Sequence, residues 1–454
     1  YMDSVPVVAI TGNVDLSDLG RDSFQEIDIT GITMPITKYN FIVKDVTELA
    51  DTVREAFSIA MTGRKGPVLI DIPKNIMSEL CEYSPGNAAA KTKAKATPLP
   101  DNDAFKRAAE LIEKAKKPLL YIGGGAVGAD ASEALISFAE KLSIPVVSSV
   151  MGLGAFPDDY PLNLGFIGMH GSVRASHAAR ECDTLIAAGV RFSDRAACKR
   201  REFAPNAKVL HIDIDPAEIN KNIFSECHLC GDLAVVFPCL TECCAAANHD
   251  AWIKEAFSAT GNEESDVNKK YVSPKKFLEL LGSLTKPETI IATDVGQHQM
   301  WTAQYYKFRR PRTLLTSGGL GAMGYGMGAA IGAKAAKPET DVILITGDGS
   351  FLMNMNELAT ASMLEMPLKV IIFNNKSLGM VKQWQKTSYN GRFSQTVPDR
   401  HTDYRKIAEA FSAEYVYISD DTASQKLLPA ALSNNKAVII ECNVSPDELV
   451  LNTK

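Results

Sequence analysis

Residues 341–377 read DVILITGDGSFLMNMNELATASMLEMPLKVIIFNNKS, and the fold of the chain turns on them. Two apolar runs, 342–346 and 368–373, are rich in β-branched residues and too short to be free-standing helices. Runs that are apolar on both faces predict buried parallel strands. Between them, residues 354–364 carry apolar positions at helical spacing, so the unit reads strand, helix, strand. The first strand leads into Gly347, Asp348, Gly349 and Ser350, and the second into Asn374 and Asn375. Oxygen donors are thereby carried to the carboxyl edge of neighbouring strands, the side on which open α/β sheets bind ligands. One carboxylate, one amide oxygen and a nearby backbone carbonyl suit Mg2+, which takes few protein ligands and completes its octahedron with phosphate and water.

A Gly-Asp-Gly triplet alone reads equally well as a tight turn after a strand. The spacing says more, because Asn375 follows Asp348 by 27 positions (348 to 375) across one strand–helix–strand unit. In this the chain resembles the thiamine diphosphate (ThDP) enzymes, whose diphosphate–metal motif has that form. The resemblance implies that Asp348, Asn375 and the carbonyl of Ser377 hold the metal, with Gly347, Gly349 and Ser350 against the diphosphate.

Working outward, 454 residues are too many for one core and predict two or three domains. The net charge of −6 comes from 48 basic and 54 acidic residues that are well mixed, with no basic stripe, so nucleic acid is excluded as the expected partner. No apolar run is long enough to span a bilayer and no signal peptide opens the chain. Nine cysteines, an odd number scattered over a large acidic chain, predict reduced thiols and a cytoplasmic location. Cys227, Cys230, Cys239, Cys243 and Cys244 lack finger-like spacing and read as thiols on a strand and a helix, not as a zinc site.

In order, residues 1–84 hold apolar strands at 5–11 and 67–73 with an amphipathic helix at 47–61 between them. Residues 85–101, rich in Ala, Lys and Pro, read as a linker. A second α/β pattern covers 102–250, with strands at 118–123, 145–150, 184–189 and 208–213 and a helix at 131–142. Its first strand ends in Gly123, Gly124 and Gly125, a turn tight enough for backbone amides to approach a phosphate, although the GxGxxG dinucleotide fingerprint is not met. Residues 251–272 read as a second linker, closed by Ser273 and Pro274 as helix cap and first helical residue. The third domain, 273–454, adds strands at 289–294, 314–318, 414–418 and 437–443.

Several stretches are similar to biosynthetic acetolactate (acetohydroxyacid) synthases: YMDSVPVVAITG, DSFQEIDITGIT, PITKYN, GRKGPVLIDIPK, GQHQMW and GMVKQWQ. The resemblance covers essentially the whole chain. The expected fold is three ThDP-enzyme-type α/β domains, parallel sheets flanked by helices: part of a pyrimidine-binding domain, a middle FAD-binding-like domain and a diphosphate domain. The first domain is expected to be incomplete, because Tyr1 opens directly into a strand. With it the activating Glu of the family is expected upstream, since no Glu in 1–84 sits in a matching context.

The resemblance implies further roles. Phe24 and Gln25 face the active site, Lys74 lines the substrate channel and Arg64 touches FAD. Gly124, Met169, His170, Gly171, Gly189, Arg191, Phe192, Asp213, Ile214, Gly231 and Asp232 match FAD-binding segments. Arg195 meets the carboxylate of a second 2-oxo acid, a task for which a bidentate guanidinium is suited. Val295, Gly296, Gln297, His298 and Gly321 match positions near the diphosphate, and Met323 wedges between the cofactor's rings. Met380 and Trp384 would be core residues on helical spacing alone; by resemblance Trp384 shapes the acceptor pocket. Departures are Asn13 for Gln, Tyr39 for His, Ser193 for Asp and Lys376 for Gly.

The activity implied is decarboxylation of pyruvate and transfer of the two-carbon unit to pyruvate or 2-oxobutyrate. It would be served by ThDP, Mg2+ and a structural FAD, in a homodimer or tetramer with a small regulatory subunit. The alternatives are another ThDP-dependent carboligase, decarboxylase or pyruvate oxidase, or a non-catalytic nucleotide-binding protein.

Overall fold

The computed structural model describes residues 1–83, 99–197, 202–260, 270–398 and 401–450. The chain divides into two compact units. One holds Tyr1–Leu99 with Ile214–Pro216 and Cys230–Asp232; the other holds Pro100–Asp213, Ala217–Leu229 and Leu233–Lys454.

In the first unit β1 (Val8–Asn13), β2 (Tyr39–Ile42) and β3 (Val68–Pro73) form a parallel sheet in the order β1-β3-β2. The central strand is buried along its whole length, which is why VLIDIP shows no alternation. Its one carboxylate, Asp71, is tied down by Thr11 Oγ1 and Asn13 Nδ2, each donating over 2.7 Å. Asn13 thus has a local task at the sheet edge. The helix Leu49–Met61 covers the sheet with Ala56 and Ala60, and Lys38 Nζ donates to the carbonyls of Ile59 and Thr62 at its end, where a cation meets the negative pole of the helix.

The second unit holds two six-stranded sheets. The first comprises β4 (Pro118–Ile122), β5 (Val146–Ser148), β6 (Asn163–Phe166), β7 (Thr184–Ala188), β8 (Lys208–Asp213) and β9 (Cys227–Cys230), in the order β6-β5-β4-β7-β8-β9. The second comprises β10 (Ile290–Thr293), β11 (Leu314–Leu315), β12 (Val342–Gly347), β13 (Lys369–Asn374), β14 (Glu414–Ile418) and β15 (Val438–Asn443), in the order β11-β10-β12-β13-β15-β14. The strand order reverses between β4 and β7 in one sheet and between β10 and β12 in the other, and each reversal opens a crevice at the carboxyl ends.

Apolar side chains on both faces hold these sheets. Phe138 meets Phe237 edge-on at 5.1 Å on one side of the first, and Phe277 and Trp301 meet Phe373 at 5.4 and 5.9 Å beneath the second. Each such buried ring contributes about 1.5–3 kcal/mol relative to exposure.

The structure departs from the sequence-based expectations in several places, among them a strand at 145–150 that narrows to Val146–Ser148. The helix expected at 354–364 begins at Asp348, runs to Asn354, passes through a 3-10 turn at Met355–Glu357 and resumes at Leu358–Met363. Gly and Ser in its first turn disguised that start, because both are weak helix formers. The linker expected from 251 opens with the helix Asp250–Ser258, whose Trp252 and Ala256 join the core of the first large sheet. Trp252 Nε1 donates to the Pro118 carbonyl over 2.8 Å. Strand 314–318 shrinks to two residues. Ser273 and Pro274 do start a helix, with the Ser273 hydroxyl accepting from the Lys276 N–H. Most of the linker 85–101 lies outside the described residues. Among the described residues no helix is long and apolar enough to cross a membrane, and no group of three or more His, Cys, Asp or Glu is arranged to hold a metal.

Candidate active site

The two crevices are built in opposite ways. Between β4 and β7 the backbones close on each other. The Gly123 and Gly125 N–H groups donate to the carbonyls of Ala188 and Gly189 over 2.9 and 3.1 Å. A Cβ on Gly123 would collide with the Gly189 carbonyl, and one on Gly125 would lie 2.6 Å from the Gly189 Cα. Gly189 itself has φ +61°, a left-handed backbone that costs other residues about 1 kcal/mol or more. The amides of Gly123 and Gly125 are therefore spent on closing the crevice, a correction to their reading as phosphate donors; Gly124 opens the short helix Gly124–Gly128.

Between β10 and β12 the glycines make room for a side chain. A Cβ on Gly296 would lie 2.7 Å from His298 Cε1, and one on Gly347 2.9 Å from His298 Nδ1. The imidazole fills the space that both glycines leave. Burial, partly offset by the Asp294 carboxylate, pushes its pKa down to about 4, so the ring is neutral. Its Nε2 is buried with no hydrogen-bond partner.

Asp294, absent from the sequence-based set, ties this crevice together. Its Oδ1 accepts from the Gly326 N–H and its Oδ2 from Thr346 Oγ1, each over 2.7 Å. It thus joins the ends of β10 and β12 to the start of the helix Tyr325–Ala336. A buried Asp closing an apolar strand run was the available signal.

A small cleft, partly open to solvent, lies here. Its walls include Gln297, His298, Met323, Asp348, Asn375 and Met380. Val295, Gly296, Gly347, Gly349, Ser350 and Ser377 line it too, so the sequence-predicted metal and diphosphate residues converge on one place. Gly321, at φ +65°, is adjacent to Val295, with its Cβ position 3.6 Å from Val295 Cγ1. Asp348, Ser350, Asn375 and Ser377 are all buried.

The two consecutive asparagines face different tasks. Asn374 Nδ2 donates to Glu441 Oε1 over 2.7 Å and serves the sheet, whereas Asn375 Oδ1 accepts from the Ser377 N–H and hydroxyl over 3.1 and 3.2 Å beside the cleft. Lys376, between them and the helix, has φ +53°, the left-handed backbone that a glycine adopts more easily.

Arg195 and Trp384 meet. The guanidinium carbon stands 5.8 Å from the Trp384 ring centroid, and the Arg195 carbonyl accepts from the Met169 N–H over 3.2 Å. Trp384 is 38% exposed on the helix Gly379–Ser388, so it is not the core residue that its spacing with Met380 suggested. Arg195 also pairs with Asp194 at 3.7 Å. Of the remaining residues in the second unit, His170 and Asp213 are buried, and the His170 carbonyl accepts from Gln304 Nε2 over 2.9 Å. Gly171 follows Gly168, whose Cβ position lies 2.7 Å from the Arg195 carbonyl oxygen. Phe192 is buried at φ +49°, and the Arg191 carbonyl accepts from Asn222 Nδ2 over 2.8 Å.

Arg64, Ile214, Gly231 and Asp232 belong to the first unit, as do Gln25 and Lys74. There Arg64 donates to Ser4 Oγ and pairs with Asp215 at 3.4 Å. Gln25 and Lys74 are exposed, and Phe24 at 86% exposure is no core residue.

Residues 294–442 match the thiamine pyrophosphate enzyme C-terminal TPP binding domain, and residues 105–240 match the central domain of the same enzymes. The first match begins at Asp294 and contains every residue that lines the cleft. The chain is 43% identical to "Acetolactate synthase" of Mycobacterium leprae over 99% of its own length and 74% of that protein. It is 42% identical to "Acetolactate synthase" of Arthrospira platensis, covering 99% and 79%. To "Acetolactate synthase isozyme 3 large subunit" of Escherichia coli it is 39% identical, covering 99% and 81%. A cleft built on a TPP-binding module, in a chain alike to these proteins over nearly its whole length, leads to one assignment: the chain belongs to the acetolactate synthase family of thiamine diphosphate enzymes.

Proposed function

We propose that the chain is the catalytic large subunit of an acetolactate synthase, a transferase that decarboxylates pyruvate and passes the two-carbon unit to pyruvate or 2-oxobutyrate in branched-chain amino acid biosynthesis. The observation that carries this reading is the convergence of Asp348, Asn375, Ser377, His298, Met323 and Met380 on one cleft. Thiamine diphosphate, when bound, supplies the carbon nucleophile and the electron sink that the decarboxylation needs.

The donor set fits that cofactor with Mg2+. A carboxylate and an amide oxygen leave coordination positions for phosphate and water. A diphosphate oxygen beside His298 Nε2 would give that buried atom its missing partner and raise the proton affinity that burial lowers. Met323, which lines the same cleft, would support the cofactor's rings. Arg195 grips the carboxylate of the acceptor 2-oxo acid, and the Trp384 ring beside it meets the acceptor's alkyl group.

FAD belongs to the same proposal, on Gly124, Met169, His170, Gly171, Gly189, Arg191, Phe192 and Asp213 at the carboxyl edge of the first large sheet. Its role is structural, since joining two 2-oxo acids involves no net redox change. A homodimer or tetramer, a small regulatory subunit and a cytoplasmic location complete the reading. The relative named a large subunit supports the companion subunit.

The test is Asp348→Ala. Thiamine diphosphate binding by calorimetry, with and without Mg2+, is expected to lose its metal dependence, and acetolactate formation from pyruvate is expected to stop. Metal-dependent binding equal to that of the unaltered chain would overturn the assignment.

A further inference from the structure

Behind the cleft lies a row of three buried side-chain amides. Gln383, on the helix Gly379–Ser388, makes a paired contact with one backbone residue: its Nε2 donates to the Val450 carbonyl over 2.8 Å and its Oε1 accepts from the Val450 N–H over 2.9 Å. The same Oε1 accepts from Gln297 Nε2 over 2.9 Å, and that Nε2 also donates to the Glu448 carbonyl over 2.8 Å. Gln297 Oε1 in turn accepts from Asn375 Nδ2 over 2.9 Å. Gln297 and Gln383 are each 4% exposed, and Asn375 is 6% exposed.

A side-chain amide can be turned over at little steric cost, so its orientation is decided by its partners. The backbone at Val450 cannot be turned over: its N–H must donate and its carbonyl must accept. That fixes Gln383 with Oε1 toward Gln297. Gln297 must then present Nε2 to Gln383 and to the Glu448 carbonyl, which leaves its Oε1 for Asn375. Asn375 answers with Nδ2, so its Oδ1, the atom of that amide able to bind a cation, is turned to the opposite side, where it meets Ser377. Reversing any one amide would set donor against donor or acceptor against acceptor among buried groups, at a cost of about 1–3 kcal/mol for each one left unpaired.

We propose that Gln383 is a positioning residue that reads the backbone polarity of residues 448–450 and, through Gln297, fixes which atom of the Asn375 amide serves the metal. The packing leaves no slack for the relay to be bypassed. A Cβ on Gly379 would collide with Gln297 Oε1 and lie 2.5 Å from Asn375 Nδ2. The segment that supplies the polarity is held independently, by Lys382 Nζ donating to the Pro446 carbonyl over 2.8 Å and by Trp301 Nε1 donating to the Leu449 carbonyl over 3.4 Å.

This inference rests on Asn375 being a metal ligand, and the experiment separates the two. Mg2+ is titrated calorimetrically into the unaltered chain, Gln383→Met and Gly379→Ala, each with thiamine diphosphate present. Hydrogen exchange at the Val450 amide is followed in parallel, and thermal melting confirms that each variant folds. Gln383→Met is expected to weaken Mg2+ by about 10–100-fold, as loss of an outer-shell partner does, and to speed exchange at Val450. Gly379→Ala, which breaks the row between Gln297 and Asn375, is expected to weaken Mg2+ comparably. Faster exchange with Mg2+ affinity unchanged in both variants would overturn the relay and leave Gln383 as an anchor for the segment. Absence of Mg2+-dependent binding in the unaltered chain would overturn the ligand assignment itself, and the relay with it.

Discussion

The crevice between β4 and β7 and the crevice between β10 and β12 occupy equivalent places in two doubly wound sheets, yet glycine does opposite work in them. In the first, Gly123, Gly125 and Gly189 let two backbones touch. In the second, Gly296 and Gly347 let a side chain stand where backbone would otherwise crowd it. One crevice therefore offers a ligand a rigid main-chain floor, and the other offers a wall of titratable and coordinating groups. Topology sets where a ligand goes, and glycine placement sets what it meets.

The largest effect expected from this contrast is at the closed crevice. Gly189→Ala forces a Cβ onto a left-handed backbone and against the Gly125 Cα at 2.6 Å, so neither side can yield. Strain and overpacking together are expected to cost about 3–5 kcal/mol, read as a fall in thermal unfolding temperature. Gly347→Ala at the open crevice displaces only the His298 ring and is expected to cost about 1–2 kcal/mol, with loss of thiamine diphosphate affinity as its main result. Equal losses of stability in the two variants would erase the distinction.

Acid provides the next test. His298 is neutral in the fold, with a pKa of about 4 against an ordinary 6.5. Above pH 6.5 folded and unfolded chains hold the same proton count at this group. As pH falls from 6.5 toward 4 the unfolded chain takes up the proton first, so stability drops, by roughly 2–3 kcal/mol across that window. His298→Asn should lack this component, and chemical denaturation at pH 7 and pH 5 measures the difference. The same pH slope in both proteins would show that the ring is charged in place.

The smallest effect concerns the acceptor. If the Trp384 ring meets the acceptor's alkyl group beside Arg195, Trp384→Leu should lower the preference for 2-oxobutyrate over pyruvate by about 1 kcal/mol, seen as product ratio in competition, with pyruvate self-condensation largely kept. An unmoved ratio would remove Trp384 from the pocket.

Much of this was legible in the sequence because strands buried on both faces leave continuous apolar runs. VILITG and KVIIFN needed no structure to be read, and the 27 positions separating Asp348 from Asn375 (348 to 375) pointed to two residues that do line one cleft. What escaped was whatever depends on partners distant in the chain. Trp384 and Met380 share helical spacing, but only the structure shows Trp384 partly exposed beside Arg195 while Met380 lines the cleft. Asp294 has no motif of its own, and GMVKQWQ contains Gln383 without disclosing its partner; what matters are contacts reaching Gly326, Thr346 and Val450, at separations that no local pattern records. Nor do two adjacent asparagines announce that one is bound to Glu441 on the neighbouring strand while the other faces the cleft.

The contact between Gln383 and Val450 has a consequence for how the protein is born. Val450 is made 75 residues after Asn375 (450 minus 375). At about 5–20 residues per second, a ribosome needs roughly 4–15 s to cover that stretch. During that interval the nascent chain already carries Asp348 and both asparagines, but not the backbone groups that orient the three amides. The three amides of the cleft can thus reach their final polarity only once residues 448–450 have left the exit tunnel.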